Sequence, residues 1–159
     1  MLIDLSRAAP ASSIAVPTMM SEITNDVLIE KAASVIKPKQ VGDHRIGDVG
    51  CALITDNNNI YLGVCIDTGS SLGFCAEHSA IAAMITAGEY RIHKIVAVWK
   101  DDHHTYILSP CGRCREFIRQ IHIDNIETEV ILDRNKILKL AELLPYHDWY
   151  KKVQERGGL

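Results

Sequence analysis

The chain has no apolar run long enough to cross a bilayer, no excess of positive charge and few aromatic side chains. A spanning helix needs roughly 20 apolar residues in succession, so no membrane segment is expected. The formal net charge is −3 and the pI is about 6.1, which leaves no general basic field to hold a phosphate backbone. Aromatic residues make up 6% of the chain, too few for a basic surface interleaved with rings that stack bases. A nucleic-acid partner is therefore not expected. The cysteines number 5, an odd count, and two of them form a C-x-x-C, a pattern that suits metal-bound thiolates better than a disulfide framework. With no segment reading as a charged start followed by an apolar secretory run, the expected location is the reducing cytoplasm.

What is present is enough for one packed core: 159 residues, 47% of them hydrophobic. Residues 1–20, MLIDLSRAAPASSIAVPTMM, are rich in Ala, Ser and Pro without sustained periodicity. They are expected to form a flexible N-terminal extension, or to precede a start near Met20, ahead of a single domain over 21–159. Ile23, Val27, Leu28, Val35 and Ile36 recur at helical spacing, which predicts a helix over 21–37 stopped by Pro38. Residues 49–55 and 60–66 flank Asp56-Asn57-Asn58-Asn59 and predict a β-hairpin.

After Gly69-Ser70-Ser71 and Gly73, the stretch 75–87 is apolar nearly all round and predicts a buried helix ending before Gly88. A strand over 92–99 follows, then an extended piece at 106–108 and a third helix over 111–122 with Phe117, Ile118 and Ile121 as its apolar stripe. Residues 129–132 predict a strand; residues 137–140 fit a strand or the start of a helix. The order implies an α/β fold, a three-layer α/β/α sandwich around a mixed five-stranded sheet.

Chemistry concentrates in Phe74-Cys75-Ala76-Glu77-His78 and Ser109-Pro110-Cys111-Gly112-Arg113-Cys114-Arg115. Both are predicted helix starts, so their N-termini can converge and bring Cys75, Cys111 and Cys114 onto one zinc ion. Three protein ligands with an open fourth position mark a catalytic zinc, whereas adding His78 makes a closed Cys₃His structural site, the basis of a non-catalytic zinc-stabilised scaffold. Under the catalytic reading a zinc ion makes hydroxide available near neutral pH, and Glu77 can act as base and acid in turn. As an isolated observation, Glu77 is also a carboxylate favoured by a helix N-terminus. The free N–H of Ala76 is placed to donate to a substrate carbonyl. His78, Arg113 and Arg115 could support the ligands from outside, although arginines on a helix surface are ordinary. Cys51 and Cys65 fall on predicted strands, where a thiol usually serves as a small buried hydrophobe.

Cys75-Ala76-Glu77 with Pro110-Cys111-x-x-Cys114 resembles the cytidine deaminase family, a zinc-deaminase signature of a kind that is generally known. Residues 107–115 also resemble blasticidin-S deaminase, and the likeness runs over about residues 20–150, including Val49-Gly50 and Glu142-Leu143-Leu144-Pro145. The resemblance implies a zinc-dependent hydrolase that converts free cytidine or deoxycytidine to uridine or deoxyuridine plus ammonia. It also implies a homotetramer with zinc ligands Cys75, Cys111 and Cys114 and the proton shuttle Glu77. The alternative within the class is a deaminase of blasticidin S or another modified aminopyrimidine.

Departures lie around the sugar. Gly47 stands where the family usually has Phe, Cys65-Ile66-Asp67 where it has Asn-x-Glu, and His78 where it has Arg. Asp67 and Cys65 are the expected sugar-side residues. Trp149 could supply the aromatic wall that the family often takes from a neighbouring subunit, or could anchor the tail to its own core.

Overall fold

The computed structural model describes residues 23–149, so the expected extension at 1–20 and the end of the chain lie outside the described residues. Helix α1 (Asn25–Ser34) is capped by Thr24, whose hydroxyl accepts from the Val27 N–H at 3.4 Å. It is shorter than its apolar pattern suggested. Strands β1 (Lys39–Val41), β2 (His44–Thr55) and β3 (Ile60–Ile66) follow, then α2 (Ala76–Thr86), β4 (Ile92–Lys100), β5 (Thr105–Leu108) and α3 (Gly112–Ile121). A 3₁₀ segment, Ile123–Glu127, leads into β6 (Glu129–Asp133), β7 (Lys136–Lys139) and a one-turn α4 (Leu140–Leu143). The ambiguous stretch at 137–140 is thus both things in turn, a strand that passes directly into a helix.

The mixed sheet has seven strands, not the expected five. The additional ones are β1, whose three residues are all exposed and carry no apolar alternation, and β5, expected only as an extended piece. Gly50 pairs with Val64 of β3 on one side and Val98 of β4 on the other, while Ile46 has Ile66 of β3 on one side and Lys39 of β1 on the other. Ala97 pairs with Leu108 of β5 and Lys94 with Glu129 of β6, both on the side of β4 away from β2. Hence β1 and β4 share one position beside β2, and β5 and β6 share one beside β4. The sheet stays five strands wide, with β4·β6 as its parallel pair.

Alternation along the central strands divides the core between the two faces. Cys51 and Leu53 of β2 with Ile95 and Ala97 of β4 pack against Ala80, Ile81 and Met84 of α2 and Ile118 of α3. Ala52 and Ile54 with Val96 and Val98 face Leu28, Ile29 and Ala32 of α1. Because both faces are covered, β2 and β4 read as continuous apolar runs. Helix α2 approaches the sheet closely at Gly63, where an added Cβ would lie 2.3 Å from the Ala80 nitrogen and 2.6 Å from the Ala76 oxygen. That contact fixes the height of the N-terminus of α2 over the sheet.

Candidate metal centre and active site

Cys75 and Cys111 are the N-cap residues of α2 and α3, and neither side chain caps its own helix. Each sulfur therefore keeps lone pairs for another use, beside the N–H groups that favour negative charge at a helix start. Cys114, one turn into α3, is fully buried. The Cys75 and Cys111 sulfurs are 3.8 Å apart and those of Cys111 and Cys114 3.5 Å apart. Tetrahedral zinc with Zn–S bonds of about 2.3 Å requires sulfurs about 3.8 Å apart, so the observed spacing fits.

Holding all three sulfurs as thiolates would take a cation. Burial pushes Cys114 far above the usual thiol range, and the Glu77 carboxylate and neighbouring sulfurs add to it. Burial likewise raises Cys75. Against its own burial, Cys111 is held below that range by the N–H groups of Cys114 and Arg113 and by the adjacent thiols. Three thiolates here call for a compensating divalent ion.

The fourth direction is not taken by His78. Among the described residues, the ligand atoms of Cys75, Cys111 and Cys114 lie within 4.8 Å of one another, and His78 belongs to no such group. Its ring sits 4.4 Å from that of Phe117 and 6.2 Å from that of Phe74, measured between centroids, with Nε2 buried and unpartnered. The sulfurs instead border a cavity of about 410 Å³ whose lining includes Cys75, Cys111, Ala76 and Glu77, a volume in the range of small-molecule sites. Glu77 is only 5% exposed. Burial lifts its carboxyl above the ordinary range, opposed by its own backbone N–H and the Cys114 thiol.

Of the remaining predicted residues, three line the cavity and two lie away from it. Asp67 and Cys65 line the same cavity. Arg113 also lines it and donates through Nη1 to the Gly73 carbonyl at 3.3 Å, bracing the loop ahead of Cys75. Arg115 donates to Pro110 O at 2.8 Å, Leu143 O at 3.0 Å and Ser109 Oγ at 3.2 Å. It grips the corner that delivers Cys111. Trp149 is 64% exposed, its Nε1 donates to Glu116 at 2.8 Å, and the Arg119 guanidinium lies 5.2 Å from the ring centre. Within this chain it covers the outer side of α3 and is not part of the cavity wall.

Sequence reasoning missed Asp48, which lines the cavity and accepts from the Cys65 thiol at 2.9 Å. Its only local signal was a Gly-Asp pair ahead of Val49-Gly50.

The family model for the cytidine and deoxycytidylate deaminase zinc-binding region matches residues 23–129. The chain belongs to this deaminase family. A cytidine deaminase of Mycobacterium tuberculosis is 30% identical over 99 residues, 61% of this chain and 69% of that protein. The crystal structure of cytidine deaminase from Mycobacterium leprae superposes with a TM-score of 0.60 at 25% identity, over 76% of this chain and 96% of that one. That from Burkholderia pseudomallei gives a TM-score of 0.62 at 24% identity, over 77% and 98%, and speaks for the fold alone. Family membership makes the chain a hydrolase of the aminohydrolase type. No described helix is long and apolar enough to cross a membrane.

Proposed function

We propose that this deaminase domain, spanning residues 21–159, is a zinc-dependent enzyme that hydrolyses a free cytosine nucleoside, cytidine or deoxycytidine, to the uracil nucleoside and ammonia. The observation carrying this reading is a three-sulfur cluster whose open side is a cavity lined by a buried carboxylate, Glu77. Zinc held by Cys75, Cys111 and Cys114 would bring the ionisation of a coordinated water close to neutral pH.

Glu77 would carry both protons of the attacking water, one to ring nitrogen N3 as the water oxygen bonds to C4, the second to the exocyclic amine as the C–N bond breaks and ammonia leaves with the carbonyl formed. A carboxyl lifted by burial suits this work because it can hold a proton and release it within one pocket. The N–H of Ala76, first residue of α2, lacks an intrahelical acceptor and is available to the substrate carbonyl. Arg115 and Arg113 position the two helix starts through the backbone contacts described above.

A modified aminopyrimidine nucleoside such as blasticidin S is the second reading, favoured by Cys65 and Asp67 standing on the cavity wall where the family usually has Asn and Glu. The reading includes a cytoplasmic homotetramer. Sedimentation equilibrium reads the subunit number. The functional test is ammonia release from cytidine, deoxycytidine, cytosine, blasticidin S and other modified cytosines assayed side by side. Turnover of cytidine or deoxycytidine is expected; an inert wild type carrying its zinc would contradict the enzyme assignment.

A further inference from the structure

Resting on the reading of this cavity as a nucleoside site, we propose that Asp48 is a specificity-determining residue that accepts a sugar hydroxyl beside Asp67. Strand β3 supplies Cys65 and ends at Ile66, and Asp67 follows it directly; both Cys65 and Asp67 line the cavity. The β2–β3 register runs from Ile46↔Ile66 to Gly50↔Val64 with an irregularity between. Residues 47–49 of β2 therefore stand against Cys65 alone, a bulge of the kind that re-aims a side chain. Gly47 permits it with φ +81°, a conformation that L side chains adopt only with strain, and its carbonyl accepts from the Lys37 N–H at 3.1 Å.

The bulge turns Asp48 into the cavity, where two contacts fix it. Cys65 Sγ donates to Oδ1 at 2.9 Å, and Arg45 Nε lies 3.5 Å from Oδ2. An ionised carboxylate offers about four acceptor positions, so capacity remains for a ligand, and the side chain is 22% exposed. The Cys65 sulfur already accepts from the Val49 N–H at 3.4 Å. A thiol is a weak partner for a hydroxyl, and its own hydrogen is directed at Asp48, so the stronger acceptor at this point is the aspartate. The ligand atoms of Asp48, Cys65 and Asp67 lie within 4.8 Å of one another. Neighbouring sugar hydroxyls, each a donor, can be read together by two carboxylates that close.

The test compares kcat/KM for cytidine and 2′,3′-dideoxycytidine, and binding of uridine and 2′,3′-dideoxyuridine, in wild type, Asp48→Ala and Asp48→Asn. Asn retains an oxygen for the Cys65 thiol, which guards against misfolding. A hydroxyl bond to a carboxylate supports an expected loss of about tenfold to a hundredfold on cytidine in Asp48→Ala, smaller in Asp48→Asn, with the dideoxy substrate changed about twofold or less. Equal losses on both substrates, or a wild type without preference for the hydroxylated sugar, would overturn the proposal while leaving deamination intact. If no nucleoside is deaminated but uridine outbinds its dideoxy counterpart and Asp48→Ala shrinks that difference about tenfold or more, the role of Asp48 stands and the enzyme reading falls. A protein that binds neither ligand overturns both.

Discussion

Arg115→Ala should weaken both the fold and the metal site, because one guanidinium joins three pieces of chain. Its bonds to Pro110 O and Ser109 Oγ hold the two residues just ahead of Cys111, and its bond to Leu143 O ties that corner to the end of α4. Bonds from charged donors contribute about 1.5–3 kcal/mol when well buried. Arg115 is half-buried and two of its three nitrogens contact part-buried acceptors, so an expected total of about 2–3 kcal/mol takes the lower values. Arg115→Lys keeps the charge but not the planar fork, and should recover only part of the loss. Since the corner sets the Cys111 sulfur, zinc affinity should also fall, by about tenfold to a hundredfold. Urea unfolding of the zinc-loaded protein and competition with a chelator measure the two effects. An Arg115→Ala variant within about 0.5 kcal/mol of wild type and with unchanged zinc affinity would refute the reasoning.

Two further predictions concern contacts that hold the fold together. Asn125 is fully buried, accepts from the Ile92 N–H at 2.9 Å and donates to Tyr90 O at 3.0 Å and Ile118 O at 3.1 Å. Asn125→Ala strands these groups and should cost about 3 kcal/mol in urea unfolding, with a loss below about 1 kcal/mol contradicting the account. Glu89 gathers hydrogen bonds from Thr55, Tyr61, Asn59 and Asn57, Thr55 having the largest effect, and its carboxyl is held down to about 2. A lowered folded-state pKa stabilises fully above the unfolded value near 4.5 and loses that contribution as pH falls through about 2. The stability gap between wild type and Glu89→Gln should accordingly narrow on acidification over that window; a gap independent of pH would show that the carboxylate charge is not what holds the turn.

The sequence announces the sulfur cluster because its evidence is local. Cys75 and Cys111 each open a helix, and the spacing from Cys111 to Cys114 is one helical turn, so convergence follows once both helices pack on one sheet. The central strands were equally legible, since burial on both faces leaves uninterrupted apolar runs. What stayed hidden depends on partners distant in sequence or on irregular backbone. Asp48 acquires its place from a bulge opposite Cys65, and β1 has three exposed residues with no pattern to read. Asn125 looks like a loop residue until Ile92, over 30 positions earlier, is brought beside it. His78 was read as a possible neighbour of the metal; its ring packs against those of Phe74 and Phe117, a packing that no linear motif encodes. Arg115 was read in the same way, and its reach to Leu143 likewise depends on tertiary structure.

The central claim is that three cysteines hold zinc while Glu77 moves the protons. Its most direct test is Glu77→Gln, with zinc per chain and cytidine turnover measured on the same preparation. Gln has nearly the same shape and should leave the sulfur cluster and its zinc intact, while turnover falls by about 10²- to 10⁴-fold, the contribution of a positioned acid and base. A Glu77→Gln protein that keeps its zinc and deaminates cytidine at the wild-type rate would contradict the account.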